Sequence, residues 1–294
     1  MLLIWIISLP FLVSCQLEDR VEKGSGLPDP SDDLPTVTEE YGVGRTVAGH
    51  PTKFIYDGGT YEHYYRSMQD RYATDLETLS LQEDVLSYPI AHYDGETDGT
   101  IYAVDGIAPR AAVALKMDGS DVIMGYYSRF YCPDTLQQLF DDFDLRENLR
   151  FDYENIHYVV WENGKEYRKV SSLPDDSQIW KLFDDLDVPV RKFEKDDHVS
   201  LFATYVNIGI AVDKLDWSKD YSWALLQFSE EGCIFFNHLM HNGEFWLDPQ
   251  KTKELYQYIR QFERDYVPSY DGTEFVGGDL HPPQADGPEG RPLP

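Results

Sequence analysis

Three runs rich in β-branched and aromatic residues, 100–104, 111–117 and 122–131, follow one another closely, split by Asp105-Gly106 and Asp118-Gly119. An Asp-Gly pair reverses a chain because glycine takes a positive φ at no steric penalty and the aspartate bonds to the turn backbone. The block is therefore expected to be an antiparallel meander. A second hairpin is expected where 222–228 and 233–240 flank Glu231-Gly232, with His241-Asn242-Gly243 turning the chain towards 245–247.

Helical signals are fewer. Asp248 is a capping residue and Pro249 suits the first helical position. Leu255, Ile259, Phe262 and Tyr266 then recur at helical spacing until Val267-Pro268 stops the pattern, a stripe expected to pack on a sheet. Residues 139–144 (LFDDFD) and 182–187 (LFDDLD) are near copies 43 positions apart. Each follows a helix-start signal, Asp134-Thr135 and residues 175–177, and each precedes a strand-like run, 156–161 and 199–206. A duplicated helix–loop–strand unit is expected. Asp141, Asp142 and Asp144 in one copy, and Asp184, Asp185 and Asp187 in the other, fall near a helix C-terminus, where each charge opposes the dipole by roughly 0.3–1 kcal/mol. Solvation, a bound cation or a basic partner would each answer that. The fold class is α+β: antiparallel meanders, a few short helices and a C-terminal helix on the sheet.

The ends of the chain differ in kind from its middle. Residues 2–13 (LLIWIISLPFLV) carry no charge, yet fall short of the roughly 20 apolar residues needed to span a bilayer. Pro10 makes the run a poor buried helix, and it suits the apolar core of a secretory signal. It ends in Leu12-Val13-Ser14-Cys15, which resembles the lipobox of bacterial lipoproteins. That resemblance implies cleavage before Cys15, a fatty-acylated lipid on its thiol, and a chain exported and anchored to the outer face of the cell membrane. No Lys or Arg precedes the run, so an ordinary cleaved signal or a buried N-terminal strand stays open beside it.

Residues 16–40 are rich in acids, Pro and Gly and poor in large apolar side chains, as a flexible tether would be. Residues 268–294, with six Pro and five Gly, are expected to be a disordered tail. The expected organisation is a signal at 1–14, a lipidated Cys15 and tether over 15–40, a β-rich part over 41–131, an α+β part over 132–267, and the tail over 268–294. Within the body, IYAVDGIAPRAAVALKM (101–117) with the LFDDFD helix, and LLQFSEEGCIFFNHLMHNGEFWLDPQKTKELYQYI (225–259), resemble uncharacterised extracytoplasmic lipoproteins of low-GC Gram-positive bacteria. They also resemble extracellular parts of some membrane-anchored regulators there. The likeness is one of style and order; it implies a sensing or accessory role and carries no site residue.

Chemistry-bearing patterns are sparse. Residues 94–105 (DGETDGTIYAVD) place Asp94, Glu96, Asp98 and Asp105 at positions 1, 3, 5 and 12, with Gly99 at the turn, a spacing that resembles the calcium loop of EF-hands. Glu96 is long for its position, Asp105 is short for a bidentate ligand, and the flanks read as strands, so a plain hairpin competes with a calcium site. His238, His241 and Glu244 suggest a metal, but HxxH in a strand-like run points the rings to opposite faces, and ordinary hydrogen-bonded histidines are expected. His63 beside Glu62, and His198 beside Asp196 and Asp197, are expected at the surface.

Cys132 precedes Pro133-Asp134 at a helix start, where a thiol can be acidified. Otherwise Cys132 and Cys233 are buried thiols or, after export, a disulfide. Trp161, Trp180, Trp217, Trp223 and Trp246 suit a sugar-binding face or a core. The sequence carries no GxSxG elbow, no GxxxxGKS/T loop and no GxGxxG, so no catalytic residue is assigned. Acidic residues number 53 against 25 basic ones, a net charge of −28 over 294 residues, which repels a phosphate backbone and argues against nucleic acid as a partner. The expected function is a non-catalytic binding or sensing accessory protein, held to the membrane through Cys15 and open to a basic protein or peptide. A secreted hydrolase using carboxylates, with or without calcium, and a structural or halophilic surface protein stand beside it.

Overall fold

The computed structural model describes residues 34–38, 49–63, 80–162, 165–193, 205–215 and 224–265. They form two sheets, almost wholly antiparallel, with a few short helices. The apolar run 2–13, Cys15, His198, Trp217, Trp223 and the expected tail lie outside these residues.

The first sheet has seven strands: β1 (Thr36–Thr38), β2 (Lys53–Tyr56), β3 (Gly59–Glu62), β4 (Leu86–Asp94), β5 (Gly99–Val104), β6 (Ala112–Met117) and β7 (Ile123–Ser128). Their order is β1-β4-β5-β6-β7-β3-β2. β5, β6 and β7 are the meander that the Asp-Gly pairs call for, with Gly106 at φ 72° and Gly119 at φ 73°. The two ends of the order, β1 and β2, come back beside each other, so the sheet curls. Every residue of β5 is buried because the strand separates two cores. Ile101 and Ala103 face the inside of the curl with Phe54, Tyr61, Tyr93, Leu115, Met124 and Tyr126, whereas Tyr102 and Val104 face a larger cluster. The two-residue period of a strand sorts them.

β1 falls inside the stretch expected to be a tether. Val37 is buried, and the triplet pairs in parallel with β4, Thr36 opposite His92 and Thr38 opposite Asp94. A β-branched triplet offered to an open strand edge prevails over its acidic, proline-rich surroundings. Pro89 lies within β4, and the pairing with β5 shifts register there, since proline has no amide to give the ladder.

The second sheet has eight strands: β8 (Leu149–Glu162), β9 (Lys165–Ser171), β10 (Val190–Lys192), β11 (Tyr205–Val212), β12 (Ala224–Ser229), β13 (Cys233–Asn237), β14 (Gly243–Trp246) and β15 (Glu263–Asp265). Their order is β10-β14-β13-β12-β11-β8-β9-β15. β12 and β13 form the hairpin at Glu231-Gly232, and β14 returns along β13 with Cys233 opposite Trp246. One face, including Ile208, Ile210, Leu226, Phe228, Ile234, Phe236 and Phe245, joins Tyr102, Ala112, Ala114, Ile123 and Tyr127 of the first sheet in the large cluster. Residues on both sides of position 131 thus share one core.

Helices α1 (Leu136–Asp142), α2 (Leu145–Asn148) and α3 (Ser177–Trp180) add Leu136, Leu139, Phe140, Leu145 and Ile179 to that core. The two LFDD copies face each other: the Leu136 and Gln137 amides donate to the Val188 and Leu186 carbonyls, and the Phe140 and Phe183 ring centroids are 5.1 Å apart. Thr135 caps α1, its Oγ1 accepting the Gln138 amide at 3.1 Å. Their continuations differ, the first leading through α2 to β8 inside the sheet, the second to β10 at its edge.

Helix α4 (Pro249–Arg260) begins as expected, with Asp248 accepting the Gln250 amide at 2.9 Å and Pro249 in the first position. It ends sooner. The Gln261 and Phe262 amides tighten onto the Tyr258 and Ile259 carbonyls, and the chain then extends as β15, Glu263 opposite Ser171 of β9. Pairing with an open sheet edge replaces the last turn, so Phe262 is left at the surface while Tyr256 joins Leu255 and Ile259 among the buried residues.

Candidate functional site

Asp94, Glu96 and Asp98 fall on the turn between β4 and β5, where Tyr93 pairs with Gly99 and the Asp98 carbonyl accepts the Asp118 amide. Asp105 lies at the other end of β5, roughly 20 Å away at about 3.3 Å of rise per residue. Its carboxylate meets Lys214 Nζ at 3.0 Å. An EF-hand loop must curl so that position 12 returns to the cation, and a straight strand through the intervening positions prevents that. The structure does not bring the four acids together. Among the described residues no group of three or more His, Cys, Asp or Glu is placed to hold a metal.

Among the described residues the HxxH run joins no metal-holding group either. His238 sits at φ 72° in the turn after β13, and His241 donates its amide to the Tyr131 carbonyl at 2.8 Å. Glu244 serves a different cluster. It is only 5% exposed, and a buried carboxylate requires partners. Its Oε2 accepts from Cys233 Sγ at 3.2 Å, its Oε1 accepts from Trp246 Nε1 at 2.8 Å, and Arg191 Nη1 stands 3.4 Å from Oε1. Arg191 also lies over the Trp246 ring, 5.8 Å from its centroid, and Trp246 is 38% exposed. Phe193 and Phe235 meet beside them, ring centroids 6.2 Å apart. This edge, built from β10, β14 and β13, is a candidate binding surface that combines open aromatic area with one cation. The alternation in Gly243-Glu244-Phe245-Trp246 signals that Glu244 and Trp246 share a face; Arg191, distant in sequence, carried no such signal.

Among the described residues the other buried acid is Asp142. Arg110 Nη2 donates to its Oδ1 at 2.6 Å, and Tyr131 OH donates to its Oδ2 at 2.8 Å. The carboxylate in turn raises the Arg110 guanidinium, while burial first and Asp142 second push the Tyr131 phenol upward. Asp144 accepts from Asn148 Nδ2 at 3.0 Å and lies 3.9 Å from Lys214 Nζ. Bases of the same chain therefore meet Asp142 and Asp144, whereas Asp184, Asp185 and Asp187 lie at the surface.

Neither thiol is acidified. Burial raises Cys132, against the opposing pull of Lys192, and burial followed by the bond to Glu244 raises Cys233. Half-buried Cys132 stands ahead of α1, which begins at Leu136, and Asp134 beside it adds to the upward push. The two stand on opposite faces of β14 as free thiols: Cys132 Sγ would lie 3.3 Å from a Cβ added at Gly243, whereas Cys233 sits with Glu244, one position on.

His63 departs from its expected surface place. It is 7% exposed, on the same face of its strand as buried Tyr61, and its Nδ1 lies 2.9 Å from the Gly125 carbonyl. Burial lowers its imidazole below the ordinary 6.5, with the Gly125 bond acting in the other direction. Half-buried Trp180 packs on Phe151 and Phe183 in the large core, so it shares no face with Trp246. Among the described residues no helix is long and apolar enough to cross a membrane. Compared with family models, curated proteins and solved structures, the chain matches none of them.

Proposed function

We propose that this chain is an exported lipoprotein whose folded body binds a ligand or partner at the cell surface and catalyses nothing. The observation that supports a binder over an enzyme is the state of its reactive groups. Both thiols are pushed upward, and the buried carboxylates of Asp142 and Glu244 are each met by an arginine of the same chain. A nucleophile or general base needs the reverse, a lowered thiol or a carboxylate open to substrate. In this reading residues 1–14 are the leader, Cys15 the anchor, the stretch to residue 40 the spacer, and the α+β body, with α4 laid on the second sheet, the binding module. The charge of −28 draws a basic protein or peptide towards it.

Mass spectrometry of the mature product tests the anchor. A diacylglyceryl adduct on Cys15 and loss of residues 1–14 are expected, and a Cys15→Ala chain should leave the membrane fraction. An intact leader, or membrane retention of Cys15→Ala, overturns the address. A thermal-shift screen tests the binder, because a ligand of the native state raises Tm. Basic peptides should raise it; mass spectrometry showing turnover of any compound that raises it would make the chain an enzyme.

A further inference from the structure

Within the first sheet, the β2–β3 hairpin is joined to the meander through a short seam. β3 meets β7 through the pairs Tyr61–Ser128 and Glu62–Tyr127. Next along the chain, the His63 amide donates to the Thr52 carbonyl at 3.0 Å, and its ring Nδ1 faces the Gly125 carbonyl of β7 at 2.9 Å. A ring nitrogen opposite a carbonyl must carry the proton, so neutral His63 is assigned the Nδ1–H tautomer with Nε2 bare. The ring tilts on Tyr126 at 5.7 Å, and the Tyr126 hydroxyl donates to the Pro51 carbonyl at 2.6 Å. His63 therefore ties β3, β7 and the loop before β2 together from inside.

We propose that this seam is an acid-operated latch: protonation of His63 releases β3 from β7 and opens the curled sheet while the second sheet stays folded. Among the described residues the ring meets the Gly125 carbonyl and the Tyr126 phenol, neither of which offsets a positive charge as a carboxylate does. Protonation adds a second N–H at Nε2 and a full charge, which a ring only 7% exposed holds at a cost. Opening the seam breaks two ladder pairs and the Arg129 amide's bond to the Thr60 carbonyl and uncovers Tyr61, so it is a local unfolding of β2 and β3 rather than of the whole chain.

Charged groups border the seam. Glu62 pairs with Arg129 at 2.9 Å. His241 reaches the same pair from the turn after β13; burial lowers it, Glu62 raises it and Arg129 lowers it. Buried His50 stands two residues before Thr52. The sign follows from the buried ring. His63 binds its proton more weakly closed than open, so the closed form loses ground as pH falls through about 6.5 and stops losing it below the closed-state value.

Hydrogen exchange on the full chain, corrected for the intrinsic rate, tests this at pH 7.5 and 5.5. Protection of residues 53–63 should fall, by at most about tenfold, while residues 224–237 hold theirs. His63→Asn keeps a neutral N–H at the Nδ1 position for Gly125 and should abolish the fall; His241→Gln should retain it. An equal fall in His63→Asn, no fall in the wild type, or a fall shared by 224–237 overturns the latch. If His63→Asn does not fold, NMR titration of the His63 ring decides: titration at or above 6.5 overturns it, and titration below 6.5 in step with the loss of protection supports it.

Discussion

Arg110 and Asp142 meet edge to edge, Nε to Oδ2 at 2.8 Å and Nη2 to Oδ1 at 2.6 Å. Arg110 belongs to the connection between β5 and β6, and Asp142 ends α1, so this pair pins the first sheet to the first helix of the following half. The Ala108 amide adds a bond to the Asp142 carbonyl at 2.8 Å.

Removing the carboxylate should loosen that joint. Asp142→Ala strands the buried Tyr131 hydroxyl but returns the mostly exposed Arg110 to water, which limits the damage. A loss of about 2–3 kcal/mol is expected, against about 1 kcal/mol for Tyr131→Phe. Urea unfolding monitored by tryptophan fluorescence measures both, and a loss under about 0.5 kcal/mol for Asp142→Ala would contradict the assignment.

Phe183 should be among the least replaceable core residues. It is fully buried, and its ring meets Phe140 at 5.1 Å, Phe236 at 5.8 Å, Trp180 at 6.1 Å and Phe151 at 6.3 Å. These rings come from both LFDD copies and from the second sheet, so truncation leaves a void that none can fill alone. Phe183→Ala should cost about 3–5 kcal/mol in the same measurement, and Phe183→Leu clearly less.

The thiols should be slow. In a Cys15→Ala chain, Ellman's reagent at pH 8 should label half-buried Cys132 first and buried Cys233 much later, with both reacting at once in denaturant. Raised thiols hold little thiolate at that pH. Rapid labelling of Cys233 in the native protein, or fewer than two thiols in denaturant, would show that the arrangement around Glu244 is wrong.

The amino-acid sequence by itself determined the features that act within a few residues. Asp105-Gly106 and Asp118-Gly119 set the turns of β5–β7, Thr135 and Asp248 set the starts of α1 and α4, and strand alternation placed Glu244 beside Trp246. Positive φ, caps and period are local properties, and local sequence displays them. The tertiary structure alone decided the rest. It ended α4 at a sheet edge, drew 36–38 into a strand, buried His63, parted Asp105 from Asp94, and matched Arg191 to Glu244 and Arg110 to Asp142. Each of those outcomes depends on which distant segment occupies the neighbouring space. Desolvation and ion pairing act across that space, whatever the separation along the chain.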